Sequence, residues 1–157
     1  MIPSQDVKIL FKRLRKLSDN TLDSHFQTAH AEVFEQTDCL TCANCCKTTS
    51  PMFFERDIDR LARALKMKPG KFTEQYLRKD EDGDWVLISS PCPFLLEDNA
   101  CAVYEERPKA CREYPHTDRK RIRQLFSLTE KNAAICPAVE KILIRVDQAC
   151  GGGSSGK

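Results

Sequence analysis

The stretch Cys39-Leu40-Thr41-Cys42-Ala43-Asn44-Cys45-Cys46 decides how this chain folds. It follows the pattern C-x2-C-x2-C-C, in which short turns bring thiolates within the few ångströms that a shared zinc ion or an iron–sulfur cluster requires. Four more cysteines follow at wider intervals: Cys92, Cys101, Cys111 and Cys136. The eight cysteines named here are the predicted metal ligands, and we expect bound metal to supply part of the folding energy.

A disulfide framework is the alternative interpretation of nine cysteines in 157 residues. Disulfide-rich secreted domains are usually shorter than this chain, and CxxC spacing without a secretory context is typical of metal sites. Residues 1–6 lead directly into a charged stretch and show none of the three regions of a signal peptide. The sequence therefore predicts a reducing, cytoplasmic location.

The composition narrows the classes of partner. No apolar run approaches the roughly 18 residues that a membrane span needs, so we expect no membrane segment. The net charge of +2 at pH 7 favours no charged partner, and the basic runs at 12–16 and 119–123 are broken by apolar residues at helical spacing. We interpret both runs as solvated faces of amphipathic helices, so a protein partner of unknown identity is expected rather than nucleic acid.

Apolar periodicity predicts helices at both ends of the chain. Apolar residues recur at helical spacing over 4–17 and again over 20–36. Residues 4–37 are therefore predicted to form a helical hairpin that begins at an N-capping Ser4. A C-terminal helix is predicted over 137–149, because it opens with a proline and repeats apolar residues at the same spacing.

The metal core is predicted to span 39–136 and to contain one β element. Turn residues separate two runs that are typical of strands, one at 85–88 and the other at 101–104. Pairing these runs gives a small β-hairpin that carries Cys92 and Cys101 at its ends.

These elements together predict the fold class. Residues 1–150 are expected to form one compact domain that is mainly α, with a small β-hairpin, and that is organised around Cys-ligated metal. Residues 151–157 are rich in glycine and serine and are expected to form a flexible tail.

The division of the eight thiols between sites stays open at the level of sequence. Adjacent Cys45 and Cys46 are expected to point in different directions, which favours two metal centres or one centre with a neighbouring thiol. In ferredoxin-type clusters, a C-x2-C-x2-C loop supplies three ligands and a remote cysteine followed by proline supplies the fourth. Cys92 and Cys136 both precede proline, so either one fits that role in an iron–sulfur cluster of the 4Fe–4S type. The remaining thiols then form a second site, for which zinc is the expected metal.

Four other residues near the cysteines carry weaker expectations. Arg107 and Arg112 flank Cys111, where they suit hydrogen bonds to cluster sulfurs or loop carbonyls, or the binding of an anionic substrate. His116 is a candidate exchangeable ligand or proton donor. Cys150 lies outside the motif spacing and is expected to be a free thiol.

Three motifs together resemble the YkgJ family of cysteine-cluster proteins, a family of zinc- or iron-chelating domains. They are C-x2-C-x2-C-C at 39–46, Cys-Pro-Phe-Leu at 92–95, and Cys-Ala-Val-Tyr-Glu-Glu-Arg-Pro-Lys-Ala-Cys-Arg-Glu-Tyr-Pro at 101–115. The resemblance implies metal chelation by the matched cysteines. A related cysteine-rich domain occurs in the flagellin lysine-N-methylase, which implies a link to protein modification.

Three functional hypotheses follow. The first is a metal-binding protein with a Cys-ligated iron–sulfur cluster, zinc or both, in a redox, metal-handling or accessory role. The second is a non-catalytic interaction module with structural zinc. The third is a component of a protein-modifying enzyme related to the lysine methylase, but the sequence shows no Ser-His-Asp set, phosphate-binding loop or HExxH motif, so catalysis is not expected.

Overall fold

The computed structural model describes residues 2–152, which fold into two compact units. Of the described residues, 2–38 together with 115–152 form the first unit, and Cys39–Tyr114 is the second unit. Residues 153–157 of the expected tail lie outside the described residues. The single domain expected over 1–150 stays a prediction. Among the described residues, no helix is both long enough and apolar enough to cross a bilayer.

The described part of the chain is mainly helical, with one two-stranded antiparallel sheet, so the predicted fold class is confirmed. In chain order the α-helices are α1 (Ser4–Leu14), α2 (Asp19–Glu35), α3 (Asn44–Thr48), α4 (Glu55–Ala64), α5 (Pro69–Tyr76), α6 (Lys109–Glu113), α7 (Phe126–Ala133) and α8 (Pro137–Ala149). The strands are β1 (Leu77–Lys79) and β2 (Trp85–Leu87). Short 3₁₀ turns lie at Cys39–Thr41, Tyr104–Glu106 and Ile122–Leu125.

Helices α1, α2, α7 and α8 build the first unit around one apolar cluster. The buried residues of this cluster are Val7, Leu10, Phe11, Leu14, Leu22, Phe26, Ala29, Val33, Ile122, Phe126, Ala138, Val139, Ile142, Leu143 and Val146. Helix α1 ends at Leu14, three residues before the predicted end, because Ser18 caps α2 by accepting a hydrogen bond from the Thr21 N–H at 3.2 Å. Ser4 is the first helical residue, and Pro3 occupies the N-cap position instead.

Polar contacts hold the segment before α7 against α2 within the first unit. The Asp23 carboxylate accepts hydrogen bonds from the Arg121 and Ile122 N–H groups at 2.9 and 3.0 Å. His30 Nδ1 lies 2.7 Å from the hydroxyl of the fully buried Thr117. Arg121 adopts a left-handed conformation with φ of 56°. The helix expected for the basic run at 119–123 is therefore wrong, because the chain reverses there and enters a 3₁₀ turn.

The second unit has a smaller apolar cluster. Its residues come from the segment before α4, from α4 and α5, from the sheet and from the loops after it: Phe53, Ile58, Leu61, Ala62, Phe72, Leu77, Leu87, Phe94 and Val103. The rings of Phe72 and Phe94 stack with their centroids 6.2 Å apart. Cys92 and Cys101 are partly buried against this cluster, so the apolar core adjoins the cysteines.

The β-hairpin has a different partner from the predicted one. Strand β2 pairs with β1 in the register Leu77–Leu87, and the turn between them is closed by Asp80. Cys101 instead forms an isolated antiparallel bridge with Leu95. The sequence pattern misled because β1 is only three residues long and continues directly from α5, so it carries no separate strand signal.

Candidate metal centre

The first cysteines lie on a tight loop of the second unit. The N–H groups of Cys42 and Ala43 donate to the Cys39 carbonyl at 3.2 and 2.9 Å, which forms a 3₁₀ turn. Ala43 then adopts a left-handed conformation with φ of 48° and is 6% exposed. A non-glycine residue in this region is disfavoured, so the neighbouring structure must hold it there. This reversal allows Cys45 to follow in the first turn of α3.

Four further thiols of the second unit lie near one another: Cys46, Cys92, Cys101 and Cys111, together called the four-thiol cluster. The charges of the other three raise the pKa of Cys111, so the four thiols share one region, although no three of these sulfurs lie within 4.8 Å of one another in the part of the chain that the structure describes. Backbone contacts bring the segments together, since the Cys92 N–H donates to the Cys46 carbonyl at 2.8 Å. Cys101 is held by its bridge to Leu95. The four sulfurs therefore come from four separate parts of the sequence.

Cys46 is the thiol of the four-thiol cluster that ionises most readily. A hydrogen bond from the Cys45 side chain, which is the largest influence, and the charge of Arg107 together lower the pKa of Cys46 to about 6 against the opposing effect of burial. The two adjacent thiols are thus in contact, whereas we had expected them to point in different directions. A thiolate at neutral pH is the form that binds metal.

The other three thiols keep their protons. Burial, followed by the negative charges of the neighbouring thiolates, raises the pKa of Cys111 to about 12. Burial is also the main cause that raises the pKa values of Cys92 and Cys101, and the charge of Cys46 adds to both. Like charges in a half-buried site disfavour one another. A cation among these sulfurs would remove that repulsion.

Arg107 contributes a fixed positive charge to this region. Its Nε donates to the Tyr104 carbonyl at 2.8 Å, and its guanidinium lies 3.7 Å from the centre of the Tyr104 ring. The charge lowers the pKa values of Cys46, Cys101 and Cys111, although it is not the largest influence on any of them. Arg107 thus donates a hydrogen bond to a backbone carbonyl and also acts on the cysteines through its charge.

Sequence reasoning missed Asp57 and Arg60. Asp57 is 2% exposed, and its carboxylate accepts hydrogen bonds from Arg60, from the Phe54 N–H and from the Lys109 N–H. An acidic residue three positions after a helix N-cap is a recognisable capping signal, so the contact with Phe54 could have been predicted. The contact with Lys109, which lies 52 positions away, leaves no local signal.

Three other candidate residues lie in the first unit. Cys136 is the N-cap residue of α8, donates its N–H to the Asn132 carbonyl at 2.7 Å and packs against the apolar cluster of that unit. His116 has a φ of 64°, and burial lowers its pKa. Cys150 follows α8, and burial raises its pKa. The ligand roles expected for Cys136 and His116 stay predictions.

The chemistry of the donors fits zinc or iron. Every side chain in the four-thiol cluster offers sulfur, and thiolates favour zinc and iron–sulfur clusters over hard cations such as magnesium and calcium. A metal cation would favour loss of the protons that burial keeps on Cys92, Cys101 and Cys111. The cluster would hold the metal through its sulfurs, with Arg107 nearby.

Comparison with known families points to the same chemistry. A family model with the description "CxxCxxCC: Putative zinc- or iron-chelating domain" matches residues 38–150. The matched range contains all eight predicted ligands and more than half of the chain. No solved structure matches this chain.

Proposed function

Since this chain belongs to the CxxCxxCC family of zinc- or iron-chelating domains, we propose that its four-thiol cluster holds one zinc or iron centre. Ionisation of these thiols is opposed by burial and by the charges of their neighbours. Metal binding requires deprotonated thiols and supplies the compensating positive charge. The observation that supports the proposal is the backbone hydrogen bond that joins Cys92 to Cys46, with Cys101 and Cys111 in the same half-buried region.

The loop with Cys39, Cys42 and Cys45 supplies the ligands of a second proposed centre. Its C-x2-C-x2-C spacing suits an iron–sulfur cluster, which draws three ligands from such a loop. Cys39 is exposed and Cys42 is partly exposed, so metal held there is accessible to other molecules. Accessibility favours a redox or metal-handling role for this loop.

The four-thiol cluster has a different character from the loop. Cys92 and Cys101 pack against the apolar core of the second unit, and Cys111 is partly buried. A metal bound there would stabilise the fold directly, as structural zinc does. This observation favours the second candidate function, an interaction module with structural zinc, for this part of the molecule.

The test is an anaerobic purification followed by elemental analysis for iron, zinc and acid-labile sulfide. We expect metal in the wild-type protein, with sulfide and visible colour if the loop holds an iron–sulfur cluster. Cys111→Ser should lose the metal of the four-thiol cluster, whereas Cys39→Ser should lose only that of the loop. Cys150→Ser is the matched control, because Cys150 lies in the first unit beyond the motif cysteines.

The outcomes separate the proposals. If wild type and Cys111→Ser contain the same amount of metal, the four-thiol cluster is not a metal centre. Zinc without iron or sulfide would exclude the redox role and leave the structural one. Equal rates of metal loss to a chelator from the loop and from the four-thiol cluster would contradict the metal-handling role of the loop.

A further inference from the structure

Asp57 is a buried charge whose hydrogen bonds reach beyond its own helix. Its Oδ2 accepts the Phe54 N–H at 2.9 Å, and its Oδ1 accepts from Arg60 Nη2 at 2.8 Å and from the Lys109 N–H at 3.1 Å. A buried carboxylate is costly unless such donors surround it. Two of the three donors belong to α4 or to its N-cap, but Lys109 is the first residue of α6.

Arg60 extends the same connection. Its Nη2 also donates to the Arg107 carbonyl at 2.8 Å, and its Nε donates to the Glu106 carbonyl at 3.4 Å. The ion pair of Asp57 and Arg60 therefore binds three backbone groups within residues 106–109. A guanidinium suits this task, because its planar set of donors can serve several acceptors in fixed directions.

The bound segment contains Arg107 and the first residue of α6, which is the helix that carries Cys111. Arg107 carries the positive charge that its sulfurs sense. Cys111 follows in the first turn of α6, where its N–H donates to the Pro108 carbonyl at 2.9 Å. The position of the 106–109 backbone therefore fixes both the Arg107 guanidinium and the Cys111 sulfur.

We propose that Asp57 and Arg60 are positioning residues of the four-thiol cluster, setting its affinity for metal through the 106–109 backbone. This inference rests on the proposed metal function of that cluster. Residues that hold ligands in place from outside the ligand set typically change metal affinity by about 10- to 100-fold when mutated. Because the pair acts through backbone rather than sulfur, we expect metal to bind more weakly and with altered geometry, but not to be lost.

The test measures Zn²⁺ affinity by competition with a chelator and thiolate geometry from the visible spectrum with Co²⁺. Both are recorded anaerobically on the full chain in a Cys42→Ser background, which removes the contribution of the loop. Asp57→Asn should bind Zn²⁺ about 10-fold more weakly or worse and should shift the Co²⁺ bands. Phe72→Leu is the matched control, because it loosens the same unit without touching the ion pair.

Several results would overturn the inference. One is a Co²⁺ spectrum of Asp57→Asn identical to that of its parent, with unchanged Zn²⁺ affinity. Another is a loss of affinity no larger than that of Phe72→Leu. If Asp57→Asn does not fold, Arg60→Lys replaces it, since lysine keeps the charge but lacks the planar donors. Wild type that binds neither ion would instead contradict the proposed function itself.

Discussion

The two units reach stability by different means. The first unit has long helices, such as the 17-residue α2, whose apolar faces meet in one large cluster. The second unit includes two helices of only five residues, of which α3 carries the predicted ligands Cys45 and Cys46 and α6 carries Cys111. Helices this short are unstable alone. In the second unit, cysteines and buried polar groups therefore supply part of the stability that apolar burial supplies in the first.

The largest expected effect is that metal removal destabilises the second unit more than the first. Structural zinc contributes on the order of 10 kcal/mol in small zinc domains. Stripping metal under reducing conditions should therefore speed hydrogen exchange of the Cys39–Tyr114 amides, through more frequent opening of a second unit that is still folded, while exchange in α2 and α8 stays unchanged. Trp85 is the single tryptophan and lies in the second unit, so its fluorescence should change as well. Equal loss of protection in both units would contradict the contrast.

Truncation of Phe126 should have the next largest effect on stability, and this effect concerns the first unit. Phe126 is 1% exposed and stacks on Phe11 with the ring centroids 4.5 Å apart. Phe126→Ala should lower the free energy of unfolding by about 3–5 kcal/mol, measured by denaturant titration and far-ultraviolet circular dichroism. Added Zn²⁺ should not restore this loss. Recovery of full stability with metal would show that the first unit depends on the metal too.

The pH dependence of the stability of the metal-free protein should distinguish the second unit, which contains the titrating thiols, from the first. The raised pKa values of Cys92, Cys101 and Cys111 mean that the folded state holds their protons when the unfolded state loses them near 9.0, so stability should fall as pH rises above that value. The lowered pKa of Cys46 acts in the other direction, and its contribution is lost as pH falls from 9.0 towards about 6.

We therefore expect metal-free protein to be most stable near pH 9, with a decline of roughly 1 kcal/mol per pH unit above it. Trp85 fluorescence during denaturant unfolding at a series of pH values measures this profile. Bound metal should flatten it, because the thiolates are then held by the cation at every pH tested. A metal-free profile that is flat from pH 8 to 10 would contradict the proximity of the four thiols.

The smallest effect should come from an exposed ion pair of the first unit. Arg145 Nη1 lies 2.6 Å from Glu32 Oε2, and both side chains are substantially exposed. Arg145→Ala should change the free energy of unfolding by less than about 1 kcal/mol, because solvent screens such pairs. Denaturant titration beside Phe126→Ala checks this, and a loss comparable to that of Phe126→Ala would show that apolar burial does not dominate the first unit.

The first unit was also the more predictable one. Helices α1, α2 and α8 follow from apolar residues at helical spacing, because their burial in a single cluster imposes that period. Strand β1 could not be predicted, since Leu77-Arg78-Lys79 carries no β signal and gains its conformation from pairing with β2. Spacing identified the cysteines themselves. It could not group Cys46 with Cys92, Cys101 and Cys111, nor connect Asp57 to Lys109, because only tertiary structure brings these residues together.

The order of the segments along the chain has a consequence for how the protein is made. The second unit is continuous, whereas the first unit needs residues from both ends of the chain. During synthesis, the four-thiol cluster is complete before Ile122, Phe126 and the apolar residues of α8 exist. Until those residues are made, the apolar faces of α1 and α2 stay uncovered, and exposed apolar surface promotes aggregation. We expect metal capture to precede completion of the helical core as the chain is synthesised.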